Sequence, residues 1–332
     1  MSPAEISASG KSELTAKQWL HIAEEALLSG TLNLLLTGGE PLIRDDFEEI
    51  YTEISKMGFI VSINTNASLM NKKYFDLFSK YPPTMVSVTL YGADGDTYRS
   101  ISGNAENYAN TLKGLDYLAE IPTTLEIRST FIKDNKDQLD RLRETTNKYT
   151  KKFAINYLVF KQIPGVTSSA EHCRLTAKEC LDVDISNTNY YLEFGDEDES
   201  AINVSFDGEE TGPADESEKD FGFDLPPKVL GCMAAKSMYW IRWDGKMLPC
   251  GTFIEPYTLP LEEGFKTAWD RLPGLLEDIR HPQKCLNCEL FHACPNCPAY
   301  FQVETGSFDK ASDYLCELAK ERSKRYAGEI GS

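Results

Sequence analysis

The 332-residue chain is 41% hydrophobic and carries a formal charge of −18, enough apolar material for one large or two ordinary domains. The acidity, with no basic stripe to displace counterions, excludes a nucleic-acid backbone as partner. No apolar run approaches the roughly 20 residues that span a bilayer, and Met-Ser-Pro-Ala-Glu at the N-terminus lacks the basic and apolar regions of a signal peptide, so a cytoplasmic location is expected.

The first half alternates helix and strand. Residues 15–29 read as an amphipathic helix opened by the capping pair Thr15 and Gln18 and closed at Gly30. Residues 32–36 follow as a short buried strand. Asp45 and Asp46 open a helix through Lys56 that stops at Gly58. Strands are expected over 59–64, 85–90, 124–130 and 153–160, with helices over 71–79, 104–119 and 135–149. Short apolar strands joined by amphipathic helices predict an α/β fold with a parallel sheet, whose function gathers in loops at the carboxyl ends of the strands. Four loops qualify: Gly38-Gly39-Glu40-Pro41, Asn64-Thr65-Asn66, Tyr91-Gly92-Ala93-Asp94, and the stretch after Arg128. Two glycines let a backbone approach a ligand closely, and Glu40 adds an acceptor. Asn64 and Asn66 also suit an ordinary turn.

Between 195 and 220 stand eleven Asp or Glu against one Lys, a pattern that reads as a solvated acidic loop between domains or, alternatively, a surface for a basic peptide. Beyond it the cysteines gather. Seven of the nine lie at Cys232, Cys250, Cys285, Cys288, Cys294, Cys297 and Cys316, whereas Cys173 and Cys180 read as ordinary small residues. A reducing compartment disfavours disulfides, so clustered thiols mean metal. The array runs C-x12-G-x4-C, then C-x2-C-x5-C-x2-C, then a last cysteine. Zinc modules usually place roughly 12–20 residues between their pairs, and three further cysteines exceed one tetrahedral ion. Seven thiolates match two cubane iron–sulfur clusters better, and zinc is the alternative. His292, inside the array, reads as a surface residue, and Met238 to Ile241 as the core of a hairpin turned by Gly245.

The glycine turn and the cysteine array together resemble the radical S-adenosylmethionine enzymes that carry a C-terminal SPASM domain. That resemblance implies a partial (βα)6 barrel over 1–170, a bridging region over 171–230, and a small cysteine-rich α+β domain over 231–325. It implies an S-adenosylmethionine site at Gly38, Gly39, Glu40, Pro41, Asn64, Asn66, Thr89 and Arg128, with Glu40 and its turn facing the amino group and Arg128 the carboxylate. Cys285, Cys288, Cys294 and Cys316 would hold a distal [4Fe-4S] cluster, and Cys232, Cys250 and Cys297 a nearer one. Relatives with a fully ligated near cluster carry one more cysteine just before the first, and residues 223–231 contain none. The family's catalytic cluster sits on C-x3-C-x2-C after the first strand. No cysteine precedes Cys173, so the barrel is expected to lack its first strand and the chain as given its redox centre. The implied activity is hydrogen abstraction by a 5′-deoxyadenosyl radical on a precursor peptide, supplied with electrons by a flavodoxin or ferredoxin. Sulfatase maturation is the nearer alternative, disfavoured because Gly251 stands where those relatives place Asp. A non-catalytic iron–sulfur scaffold is the alternative of another class.

Overall fold

The computed structural model describes residues 13–161, 170–194 and 230–326. The acidic stretch 195–220 lies outside them. Five strands, β1 (Asn33–Leu36), β2 (Ile60–Thr65), β3 (Met85–Thr89), β4 (Thr124–Thr130) and β5 (Phe153–Asn156), form one parallel sheet in the order 1-2-3-4-5. Helices α1 (Ala16–Leu28), α2 (Phe47–Met57), α3 (Lys72–Lys80), α4 (Gly95–Ser102), α5 (Glu106–Ala119) and α6 (Leu139–Thr146) precede or connect them. Because each strand pairs with its sequence neighbour, the crossovers wind one way and leave the helices on a single face.

That arrangement gives the sheet two unlike faces. The register pairs Ile63 with Val86 and Val88 with Ile127, all fully buried under the helices. One residue along, Asn64 pairs with Ser87, Ser87 with Glu126, and Thr89 with Arg128. Successive side chains alternate across a strand, so the polar set shares the helix-free face. The expectation of a buried first strand is corrected on the same ground. β1 is an edge strand, and Leu35, whose register partner is Ser62, is 46% exposed.

Local chemistry explains where helices begin. Thr15 and Gln18 form the reciprocal box, with the Thr15 amide donating to Gln18 Oε1 at 2.9 Å and the Gln18 amide to Thr15 Oγ1 at 3.3 Å. Asp46 makes no cap; its carboxylate takes the Arg44 guanidinium instead, and α2 starts at Phe47. The helix expected over 104–119 forms as α5 (Glu106–Ala119), and a further helix that was not expected, α4, precedes it because Asp94 accepts from the Thr97 amide at 2.9 Å and caps it. The one expected from 135 begins at Leu139, since the Asn135 side chain is used in a loop. β5 ends at Asn156, four residues short of the expected boundary.

One helix, α5, presses directly on the loop after β2. Ala67, fully buried with φ +55°, follows β2, and a Cβ added at Gly114 on α5 would stand 2.2 Å from its carbonyl oxygen. Thr111, one turn earlier, donates to the Asn66 carbonyl at 3.0 Å. Gly114→Ala is expected to cost about 1–3 kcal/mol in urea unfolding, because backbone and not a flexible side-chain tip must yield. An unchanged unfolding midpoint would show that α5 shifts freely.

The remaining elements are α7 (Ala177–Phe194), a hairpin of β6 (Trp240–Ile241) and β7 (Met247–Leu248), and helices α8 (Pro260–Glu263), α9 (Phe265–Arg271), α10 (Pro298–Thr305) and α11 (Asp313–Tyr326). Gly245 turns the hairpin at φ +83°. Packing crosses the expected domain boundaries in two places. From α1 and the residues before it, Leu14, Ile22 and Ala26 share a buried cluster with Met247 and Phe265. Glu304 at the end of α10 takes the Arg174 guanidinium with both oxygens, at 2.9 and 3.0 Å. Among the described residues no helix is long and apolar enough to cross a membrane.

Candidate functional site

The first site is built from the carboxyl ends of β1, β2, β3 and β4. Pro41 starts a short 3-10 turn (Pro41–Ile43), and this turns the Glu40 carboxylate back across the sheet edge. Its Oε1 accepts from the Leu42 amide at 3.0 Å and the Thr65 hydroxyl at 2.8 Å, and its Oε2 from the Asn66 amide at 2.7 Å. Burial raises the Glu40 pKa above the ordinary glutamate range, and the three donors only partly offset it. A carboxylate held ionised against burial gains from a cation beside it, which is what an ammonium group would supply.

Gly38 is exposed, and a Cβ there would meet nothing within 4 Å, so the turn opens onto free space. Neither Gly38 nor Gly39 needs a left-handed backbone. Asn64 Oδ1 is buried without a hydrogen-bond partner among the described residues, an orphaned acceptor on the polar face. Asn66 is spent locally: its Oδ1 accepts from the Ser68 amide at 2.9 Å and the Ser68 hydroxyl at 2.6 Å. Arg128 lies across from Thr89, and its Nε bonds Glu126 Oε1, which also accepts from Ser87 Oγ at 3.0 Å. Thr65 and Glu126 were missed in the sequence. The alternation in Thr-Leu-Glu-Ile-Arg-Ser-Thr (124–130) could have revealed Glu126.

The second site is the cysteine region. All nine cysteines carry free thiols. Cys285 ends one 3-10 turn, Cys294 caps another (Phe291–Ala293), Cys297 precedes α10, and Cys316 lies in the first turn of α11. Burial pushes the Cys294 thiol up to about 12, and the neighbouring Cys316, Cys285 and Cys288 push it the same way. Cys285 is likewise raised by burial, then by Cys316 and Cys288. Cys297 is pushed up to about 12 by burial, against the amides of Tyr300 and Ala299, with Cys250 and Cys232 adding to the rise. Cys250 is raised by burial, opposed by the Thr252 and Phe253 amides, and raised again by Cys232. The thiols therefore influence one another as a set of four and a set of three.

Among the described residues no three His, Cys, Asp or Glu meet the geometry of a single bound ion. Four thiolates on one zinc at 2.3 Å would stand about 3.8 Å apart. A cubane takes each thiolate on a different iron, which spaces them more widely. Cys180 is buried against Tyr157 O and the Tyr314 hydroxyl, and the half-buried Cys173 donates to Ala170 O. His292 is exposed. Sequence reading passed over His281, which is buried between Phe291 and Phe301 with Nδ1 unpartnered among the described residues.

Beside the set of three, Trp240 lies over the peptide at Gly251, where a Cβ would stand 3.2 Å from its ring. Trp240, Cys250 and Cys297 each pack against the buried cluster of Leu248, Phe253, Ile279 and Ala299. A side chain at 251 would need the indole to give by a few tenths of an ångström.

Residues 6–146 match the radical SAM superfamily. That segment contains Glu40, Asn64 and Arg128 and the entire parallel sheet up to β4. Over 314 residues, 91% of this chain and 87% of the relative, the sequence is 23% identical to the AdoMet-dependent heme synthase of Methanosarcina barkeri. It is 25% identical over 142 residues to the PqqA peptide cyclase of Granulibacter bethesdensis, spanning 43% of this chain and 38% of that protein. The fold is shared with Streptococcus suis SuiB bound to its precursor peptide SuiA, at a TM-score of 0.65 and 20% identity, covering 92% of this chain and 70% of SuiB. The radical SAM match supports enzymatic activity and implies an iron–sulfur cluster with S-adenosylmethionine.

Proposed function

We propose that the chain is a radical SAM/SPASM iron–sulfur enzyme that modifies a ribosomally made peptide. One auxiliary [4Fe-4S] cluster would be held by Cys285, Cys288, Cys294 and Cys316, and a second by Cys232, Cys250 and Cys297. The observation that carries this reading is the sorting of seven thiols into sets of four and three on a chain whose first half matches the radical SAM superfamily. S-adenosylmethionine, bound at a reduced cluster, supplies a hydrogen-abstracting radical.

This chain's own residues bind and orient. Glu40 would pair the cofactor's ammonium group, Arg128 its carboxylate, and Asn64 Oδ1 would accept from a ligand donor, with Gly38, Gly39, Pro41, Asn66 and Thr89 lining the same edge. Residues 1–172 contain no cysteine, so no catalytic-cluster ligand is assigned to them. Electrons would come from a flavodoxin or ferredoxin.

A peptide substrate is supported by the likeness to the PqqA peptide cyclase and to SuiB. Sulfatase maturation is disfavoured because Gly251 stands where those relatives place Asp. The long alignment with the heme synthase favours a second reading, in which the substrate is a heme precursor. Anaerobic reconstitution with iron and sulfide is expected to load about 8 Fe per chain with absorption near 400 nm. Uptake of about one zinc and no iron would sink the reading.

A further inference from the structure

Resting on the assignment of Arg128 to the cofactor's carboxylate, we infer that Glu126 is a positioning residue that holds the Arg128 guanidinium by one edge and leaves its terminal fork for that carboxylate. The two residues stand two positions apart on β4, and alternation puts both on the helix-free face. Ser87 and Thr89 of β3 face them across one side of the strand, and Ala154 of β5 faces Arg128 across the other. Pairing on both sides fixes the backbone at Arg128, so the freedom left to it lies in its side chain.

The contacts divide that guanidinium in two. Its Nε donates to Glu126 Oε1, whereas Nη1 and Nη2 have no partner among the described residues. The Arg128 side chain is 46% exposed and that of Glu126 16%. Glu126 is tethered in turn, because the same Oε1 accepts from Ser87 Oγ at 3.0 Å and Ser87 is 2% exposed. The contacts thus run from a buried hydroxyl through a partly buried carboxylate to an exposed cation. Taking Nε alone leaves free the two Nη groups with which arginine can grip a planar carboxylate through parallel hydrogen bonds.

Glu126 acts on an incoming carboxylate in two opposed ways. Its charge repels the ligand, an effect that solvent and salt screen at the exposed end of Arg128. Its hydrogen bond removes rotamer freedom that the ligand would otherwise have to freeze, a gain of about 2- to 10-fold in affinity for one long side chain. The inference is that the second effect wins, and the two predict opposite signs when Glu126 is truncated.

The test is equilibrium dialysis of the full chain against S-adenosylmethionine and against its decarboxylated analogue, which keeps the nucleoside, sulfonium and ammonium groups. The ratio of the two affinities reads the carboxylate contact and cancels changes elsewhere in the site. Wild type should prefer S-adenosylmethionine, and Arg128→Ala should lower the ratio by about tenfold or more. Glu126→Ala should lower it by about 2- to 10-fold, with the affinity for the analogue unchanged. Glu126→Gln, whose amide oxygen still accepts from Nε, should stay at or above the wild-type ratio. Loosened packing would instead weaken both ligands and leave the ratio alone. Should Glu126→Ala fail to fold, Ser87→Ala decides, since it frees Glu126 without touching its charge and should lower the ratio in the same direction. A ratio that Arg128→Ala lowers but loss of the Glu126 contact leaves unmoved or raises overturns the inference alone. A ratio unmoved by Arg128→Ala, or a wild type that binds neither ligand, overturns the cofactor assignment and this inference with it.

Discussion

Cys250→Ala is expected to remove about half of the iron that the reconstituted chain holds, from about 8 to about 4 Fe per chain. Cys250 belongs with Cys232 and Cys297, and that set has no fourth cysteine to compensate. Losing one of three ligands leaves a cube with two protein thiolates. The set of Cys285, Cys288, Cys294 and Cys316 shares no ligand with it and should stay loaded. Cys294→Ala leaves three thiolates, the number that suffices at the first set, so it should keep most of its iron and alter the EPR signal of that cluster alone. Iron analysis with EPR of the reduced samples distinguishes the two. A complete loss of iron from either single variant would mean that the seven thiols form one interdependent site.

Asn135→Ala should destabilise the fold by about 3 kcal/mol or more. Asn135 is 1% exposed, and its Nδ2 donates to the Tyr91 and Thr130 carbonyls at 2.8 and 3.0 Å. Its Oδ1 accepts from the Ile132 amide at 2.7 Å. Truncation leaves three backbone groups unsatisfied, each costing about 1–3 kcal/mol where water cannot replace the partner. Those groups belong to the loop after β3, the last residue of β4 and the loop after it, so hydrogen exchange should quicken there before global unfolding. Chemical denaturation gives the magnitude. A loss below about 1 kcal/mol would show that water enters and replaces the side chain.

The sequence made the strongest local signals legible. Residues 124–130 were expected as a strand and form β4 with those bounds, and the Thr15–Gln18 box opens α1 as its spacing implied. The cysteine spacing favoured iron–sulfur over zinc, a choice that iron and zinc analysis of the reconstituted chain decides. What stayed hidden depended on tertiary context. Asn135 looked like a helix opener because its side chain suits a cap, yet here it is spent across two loops. Asp94 was read as loop because the eight-residue α4 it caps is too short to show a period. The polar face of the sheet was overlooked since Ser62, Asn64, Ser87 and Glu126 interrupt strands that otherwise read as apolar runs. No local pattern could put Trp240 over Gly251.

Helix α1 has two obligations, and they constrain how this protein can diverge. Its apolar residues close the cluster that holds Met247 and Phe265, while the Leu14 amide donates to the Trp243 carbonyl and Glu25 accepts from the Phe265 amide. A cysteine-rich half exchanged between relatives would arrive without the partner its hairpin leans on. Modular shuffling of the two halves is therefore open only to swaps that carry the α1 face along, or that change both sides of that contact together.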